Sequence, residues 1–537
     1  MQAQLRPEQL TARRMGQRTA AGKQPGGERR RRGVALLAAA MVIAALSVFS
    51  ALGYGEGLED DDPGAHAAPA ASARAARAAA IPVAVFLDTR HRGQRVSPAF
   101  LGLSFELSSV PTLARYAAGG NLIRLLRSLG TGVLRLGGAS ADTRVAWSDS
   151  VTPAPTWAST SLSSADLRGL ARVAAASGWR VLLTLGLAHF EPVPAAREAA
   201  AARVAFGRSL AGIELGNEPD AYLRHGLRQA PWAFAQYGAQ AHAYLGAIAA
   251  AAPGVTLAGP DVSGSSAFLG WGNEEAAHLR PALLTGHHYP LGCHEVPAPS
   301  VARLLSDETR RAEDASLARY MHVARAAGIA FRLDETGSVS CGGRPGVSDT
   351  FASALWAVSY IARSMAAGVA GINFHDDPGN CGGYAPLCAP TGARLRTGVL
   401  SVRPEWYALL LARALLGDRP IRARLAEPAQ PASAPNLSVT ALRARDGRLH
   451  VVVVDEDPPG SAAVSLHLHV PRGYAAARIL ALTARSPWAL AGVRLGGRSV
   501  RPDGSWSEPA ALPSVARRGK LIALDVAPSS ALLLTLR

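Results

Sequence analysis

The chain reads as an α/β protein: a (β/α)8 TIM barrel followed by a small β-sandwich. Three observations predict this. Eight short apolar runs alternate with helical patterns over about 280 residues from Phe100 onward. The fourth and seventh of those runs both end on a glutamate, Glu218 and Glu335. Past roughly Leu400 the period shortens to that of strands, strictly so in Val464-Ser-Leu-His-Leu-His-Val470. An open doubly wound sheet is the rival, but it calls for a phosphate-binding turn after an early strand. Gly137-Gly138 lacks that spacing.

Residues 1–32 form a basic tail with nine Lys or Arg residues against Glu8 and Glu28, a net of +7. Val34 to Leu52 is an uncharged apolar run of 19 residues directly after Arg29-Arg30-Arg31-Arg32. That length spans a bilayer, so residues 33–54 are expected to be a transmembrane anchor in the cell membrane, with the tail in the cytoplasm and the remaining chain outside. No small-residue cleavage site follows closely; a cleaved signal peptide and secretion is the alternative. Residues 55–80 show no period and read as a disordered linker.

The runs then come in order. Phe100–Glu106 is the first, followed by a helix with Leu122, Leu125, Leu126 and Leu129 on one face and Gly130 as its stop. Gly132–Gly138 is the second. A helix from Ser163 or Ser164 to Gly178 leads to the third, Arg180–Leu187. The fourth lies in Gly212-Ile-Glu-Leu-Gly-Asn-Glu-Pro-Asp220, a buried strand that breaks at Gly216, where Pro219 has no N–H to continue the ladder. Val255–Asp261, Leu283–Tyr289, Phe331–Glu335 and Gly371–His375 complete the eight, with a helix carrying Leu317, Tyr320, Met321 and Ala324 ahead of the seventh. The barrel is thus expected over 98–398.

Residues 399–537 open with a helix, Trp406–Leu416, and continue as strands: Leu437–Arg443, a turn at Asp446-Gly447, Leu449–Val454, Val464–Val470, Leu521–Val526 and Ala531–Leu536. A strand at Pro82–Leu87, within a segment 81–97, is expected to join this sandwich and tie the two ends together. His467 and His469 fall on its solvent face, not in a metal site.

The formal net charge is +16, yet lysine is confined to Lys23 and Lys520, and no aromatic residues interleave with a basic stripe. Nucleic-acid binding is therefore excluded as a reading. The four cysteines, Cys293, Cys341, Cys381 and Cys388, all follow the anchor and fit no zinc spacing. Three pairings are possible; Cys381 with Cys388, closing a short Gly-rich loop, and Cys293 with Cys341 are preferred.

Two glutamates on one rim of a parallel barrel are the minimum equipment for cleaving a glycosidic bond. A retaining enzyme would hold them ~5–5.5 Å apart. Glu335 would then be the ionised nucleophile, and Glu218, partly buried beside a negative neighbour, would keep a proton to donate. Tyr289, in His287-His288-Tyr289-Pro290, is placed to donate a hydrogen bond to the nucleophile. One of the two histidines packs at the rim, and the role of the other stays open. Asn217 would bond the sugar 2-hydroxyl. No metal or organic cofactor is required.

Asn217-Glu218-Pro219 with a second glutamate near the end of strand seven is the pattern of the large glycosidase clan built on (β/α)8 barrels. Glu335-Thr336, Gly342-Gly343 and Ser348-Asp349-Thr350-Phe351-Ala352 extend the match. So do His287-His288-Tyr289, Phe105-Glu106, and Leu134-Arg135-Leu136-Gly137-Gly138 with Asp142. From about residue 82 onward the chain resembles glycoside hydrolase family 79, the β-glucuronidases and heparanases. The resemblance implies a retaining mechanism on β-linked glucuronic acid, with Glu218 as acid/base and Glu335 as nucleophile. It implies that backbone N–H groups at Gly342-Gly343 receive the sugar carboxylate and that Glu106 holds a distal hydroxyl. Cys341 stands where the family has an aromatic, and Tyr384 could replace it; a Cys293–Cys341 bridge would clamp the loops after strands six and seven. Two other readings are kept: a retaining β-glycosidase for a neutral sugar such as a glucoside or xyloside, and an inactive surface glycan-binding protein.

Overall fold

The computed structural model describes residues 80–151, 153–426 and 434–537. The basic tail, the anchor and nearly all of the linker lie outside them. Among the described residues, no helix is long and apolar enough to cross a membrane.

Eight parallel strands form the larger part: β1 (Leu101–Glu106), β2 (Val133–Gly137), β3 (Arg180–Leu185), β4 (Leu210–Leu215), β5 (Ala258–Val262), β6 (Leu283–His288), β7 (Phe331–Thr336) and β8 (Gly371–Asp376). They pair in the order β4-β3-β2-β1-β8-β7-β6-β5. The circle closes where Ile213 on β4 bridges to Leu257, with the Ile213 N–H donating to the Thr256 carbonyl at 3.0 Å. A helix follows each strand: α1 (Leu122–Ser128), α2 (Ser164–Ser177), α3 (Pro192–Phe206), α4 (Phe234–Ala251), α5 (Ser265–His278), α6 (Asp307–Ala327), α7 (Phe351–Ala367) and α8 (Pro404–Ala412). Local chemistry sets the ends. Ser163 and Asp166 make a capping box on α2, and Gly178 closes it in the left-handed region at φ 77°. On α6 the Ser306 side chain accepts from the Thr309 N–H, and Gly328 closes the helix in the left-handed region at φ 67°.

α7 is the helix whose sequence hides its period. Nearly every residue from Phe351 to Met365 is buried, because the barrel lies on one side and the C-terminal sheet on the other. The C-terminal strands form one hydrogen-bonded sheet of ten strands. The strand Ile81–Arg92 joins it, as expected. It pairs in parallel with Val464–His469 and antiparallel with Arg419–Leu425, stitching the two halves edge to edge. One apolar core of this sheet gathers Val85, Val451, Leu466 and Leu534, while Val452, Val454, Leu480 and Leu533 on the other face join the barrel core. Leu449–Asp455 is consequently buried at all seven positions. His469 stacks on Phe86 with ring centroids 4.2 Å apart, on the outer face.

Candidate active site at the barrel mouth

The carboxyl ends of the strands converge on a polar cluster. Two β-bulges shape it. On β5, Pro260 and Val262 oppose the consecutive residues Thr285 and Gly286, so Asp261 is the extra residue, held at φ 58°. On β7, Leu333 and Glu335 oppose Gly286 and His287, so Asp334 is the extra residue. The second bulge is what turns Glu335 toward the mouth alongside Asp334. Glu218, just beyond β4, is also held in the left-handed region at φ 51°, and its N–H donates to the Asp261 carbonyl at 2.9 Å. A non-glycine residue in that region is uncommon, and such strain gathers at functional sites.

Glu218 and Glu335 are brought together. One oxygen of each and His287 Nδ1 all lie within 4.8 Å of one another. The environments of the two differ. Glu335 Oε1 accepts from the Tyr289 hydroxyl at 2.8 Å, and Oε2 accepts from Arg135 Nη1 at 2.5 Å with His375 Nδ1 at 3.3 Å. Burial opposes ionisation of Glu335, but His375, His287 and Arg135, with the Tyr289 bond, outweigh it and hold its pKa far below the usual carboxylate range. Glu218 is the more open of the two, its side chain 22% exposed against 10% for Glu335. Its partner is His287, whose Nδ1 lies 2.9 Å from Glu218 Oε1 while Nε2 lies 2.7 Å from Asp261 Oδ1. Burial would neutralise that imidazole, yet Glu335, Asp261 and Glu218 raise its pKa well above the ordinary value. The imidazole thus lies between the Glu218 and Asp261 carboxyl groups.

Arg135 stands at the centre, with no solvent exposure. Its guanidinium donates to Glu335, to Asp261 at 2.6 Å, to Asn217 Oδ1 at 2.9 Å, to Glu214 at 3.1 Å and to Ser104 at 3.2 Å. Asn217 is thus aimed by Arg135, and its own N–H donates to Asp142 at 2.7 Å. Asp142 also accepts from the Leu187 and Ala188 N–H groups, which locks the turn before Glu218 to the loop after β3.

The remaining predicted residues lie around this cluster. Glu106 accepts from the Ser140 N–H at 2.8 Å, and His375 Nε2 lies 3.8 Å away. Burial is again opposed by His375 and Ser140, so its pKa is lowered. Tyr384 tilts against Tyr289 with centroids 5.8 Å apart and meets the His375 ring edge-on at 5.5 Å. Both preferred disulfides are present, Cys293–Cys341 and Cys381–Cys388. Gly342 and Gly343 follow Cys341 with φ of 87° and 89°. A Cβ on Gly343 would sit 2.6 Å from the Tyr384 backbone nitrogen. The glycines therefore have a packing reason to be there, and the Gly343 N–H already donates to Ser340 at 3.3 Å.

Reasoning from the sequence left Arg135, Asp261, His375, Glu214 and Asp334 without roles. A signal for Arg135 was present: an arginine inside the apolar run Val133-Leu-Arg-Leu136 can be buried only against carboxylates. Nothing local marks Asp261 or His375, whose partners are distant in sequence. Among the described residues, Glu218, His287 and Glu335 lie close enough to share a cation, as do Asp261, His287 and Asp334.

No protein-family model matches the chain, and no curated protein sequence does. Solved structures do. A 4-O-α-L-rhamnosyl-β-D-glucuronidase from Fusarium oxysporum superposes with a TM-score of 0.66 at 19% identity, over 85% of this chain and 100% of its own. The GH51 arabinofuranosidase of Xanthomonas axonopodis pv. citri follows at 0.61 and 14%, over 85% and 100%. A monomeric β-xylosidase from Caulobacter crescentus reaches 0.53 and 17%, over 84% and 99%. The described chain thus shares its whole fold, barrel and sheet together, with glycosidases of differing sugar preference.

Proposed function

We propose that the chain is a retaining glycoside hydrolase acting on β-linked glucuronic acid, with Glu335 as nucleophile and Glu218 as acid/base. The observation that carries this is the pair of carboxyl groups with oxygens within 4.8 Å of one another, one of which, on Glu335, accepts from Arg135 and Tyr289. That separation suits direct attack on the anomeric carbon and leaves no room for an intervening water. Glu335 attacks the anomeric carbon as Glu218 gives its proton to the leaving oxygen. Glu218 then takes a proton from the water that releases the sugar. Tyr289 and Arg135 keep the nucleophile ionised and oriented, and Asn217 meets the 2-hydroxyl. Glu106 holds a distal hydroxyl. The sugar carboxylate is received by the loop of Gly342, Gly343 and Tyr384.

Hydrolysis of an aryl β-glucuronide by the full chain, with Glu335→Ala as control, tests the chemistry. Turnover with retention of anomeric configuration, abolished in the variant, is expected; no turnover of any β-glycoside would leave a glycan-binding protein. One observation favours a neutral sugar instead, namely the packing reason for Gly343. A panel of aryl glycosides decides it, since preference for a glucoside or xyloside removes the carboxylate role from Gly342-Gly343. By this reading the substrate is a carbohydrate lying outside the cell, where both disulfides persist. The membrane anchor remains a proposal from the apolar run alone.

A further inference from the structure

Between the strands Ala476–Thr483 and Leu521–Val526 the chain makes a long excursion that returns to the sheet in two short strands, Arg494–Leu495 and Ser514–Ala516. The excursion touches the barrel at three helices. The Pro487 and Ala489 carbonyls accept from the Ala352 and Phe351 N–H groups at 2.8 and 2.9 Å, which caps the start of α7. The Val500 N–H donates to the Tyr407 hydroxyl in the first turns of α8 at 3.1 Å. Asn121, at the start of α1, donates to the Pro502 carbonyl at 3.2 Å. In a βα barrel the helix starts lie at the same end as the strands' carboxyl ends. The excursion is therefore fixed on the mouth side.

It carries a cleft of about 360 Å³ lined by Arg498, Ser499, Arg501, Ser505, Trp506 and Ser507. Arg498 donates to the Ser507 hydroxyl at 3.3 Å and Arg501 to that of Ser505 at 3.2 Å. Among the described residues neither guanidinium pairs with a carboxylate. The nearby acids are engaged elsewhere, Asp503 with Arg124 and Glu508 with Arg478. Two exposed arginines with only hydroxyl partners leave a fork of donors for an anion. Trp506 lines the cleft with its ring also packed on the hydrophobic core, its indole N–H buried without an acceptor. On the same excursion Trp488 is 55% exposed, an aromatic face in solvent next to the capped helix.

We propose that this cleft is a second saccharide-binding site, taking a carboxylate or sulfate group of an acidic glycan whose other end occupies the barrel mouth. The proposal rests on the glycosidase reading and extends it from a terminal sugar to an extended acidic chain. Arg498 and Arg501 hold the anionic group, Trp506 packs on the ring carbons, and the serines complete the polar wall.

The test uses the full chain and its Arg498→Ala/Arg501→Ala double variant. Binding of uronic-acid oligosaccharides, one series plain and one sulfated, is followed at several salt concentrations. KM is measured for the longer oligosaccharides and for an aryl glucuronide. Loss of two charge-assisted contacts should weaken oligosaccharide binding and raise its KM about tenfold, with a shallower salt dependence. Aryl glucuronide kinetics should not move, and Arg498→Lys/Arg501→Lys should recover most of the binding. Whichever series loses more identifies the group recognised. Unchanged oligosaccharide binding, or an equal loss on both substrates, overturns the proposal. Absence of turnover by the unmodified chain would overturn the glycosidase reading instead, and the binding arm would still judge the cleft.

Discussion

Arg135 carries a positive charge with no solvent contact, and four carboxylates, Glu214, Asp261, Asp334 and Glu335, lie within ion-pair distance of it. Burial alone would strip its proton, but these neighbours keep it charged. Removing one partner of a buried ionic network leaves the others uncompensated, at a cost of about 3–5 kcal/mol. Arg135→Met should therefore lower the unfolding free energy from urea titration by that amount, and the midpoint with it, as well as abolish turnover. An unchanged midpoint would mean the carboxylates protonate freely without it. Tyr289 allows a milder test. Its hydroxyl makes one bond to a charged oxygen of Glu335, and such a bond contributes about 1.5–3 kcal/mol. Tyr289→Phe should cut kcat roughly 10- to 100-fold while leaving the melting temperature nearly unmoved. A kcat within twofold of the unmodified chain would show that Arg135 and His375 orient Glu335 without help.

At the scale of elements, one disulfide joins the loops after β6 and β7, a second closes the loop after β8 on itself, and close glycine contacts seat the β7 and β8 loops against each other. Cys341 bridges to Cys293, and Gly343 then passes against the Gly383-Tyr384 backbone inside the Cys381–Cys388 loop. Gly343→Ala would strain both the left-handed backbone and this contact, costing at least about 1 kcal/mol. The expected readout is a raised KM, since Tyr384 must shift, with kcat less affected. If KM and stability both stay put, the loop is softer than its packing suggests. Replacing Cys381 and Cys388 by serine should remove about 2 kcal/mol of stability by freeing the unfolded loop. The bulges on β5 and β7 belong to this scale too, because each inserts an acidic residue where the ladder would otherwise place the next pair.

For the molecule as a whole, buried acids set the response to pH. Burial pushes Glu198, Glu214 and Glu275 up to about 8, and Asp334, Asp455 and Glu456 to about 7. A group whose pKa is raised on folding stabilises the fold below its unfolded value, and that contribution fades as pH rises through the folded value. The raised His287 and His375 act in the same direction above about pH 6.5. The lowered Glu335, Glu106 and Glu313 change their contribution only below the ordinary carboxylate range. All shifts in the window from pH 5 to 8 therefore have one sign, and the melting temperature should fall across it. A melting temperature that rises from pH 5 to 8 would show these carboxylates ionised in the folded chain.

Periodicity and punctuation revealed the eight strands in order, the starts and stops of α2 and α6, and most strands of the C-terminal sheet. Those are local properties, set by which residues alternate and where Gly, Ser and Pro interrupt them. The acidic pair was legible for the same reason: each glutamate ends its own apolar run. The period of α7 was not, because a helix covered on all sides has no polar face to mark it. The place of Ile81–Arg92 in the C-terminal sheet was legible, but not its register, since it lies more than 300 residues from the strands it pairs with. The charge on Glu335 was likewise decided only by tertiary structure, because His287, His375 and Arg135 come from three other strands. Sequence determines what each segment can become; which distant charges share a dry space depends on closing the barrel, and burial then multiplies the strength of every contact made there.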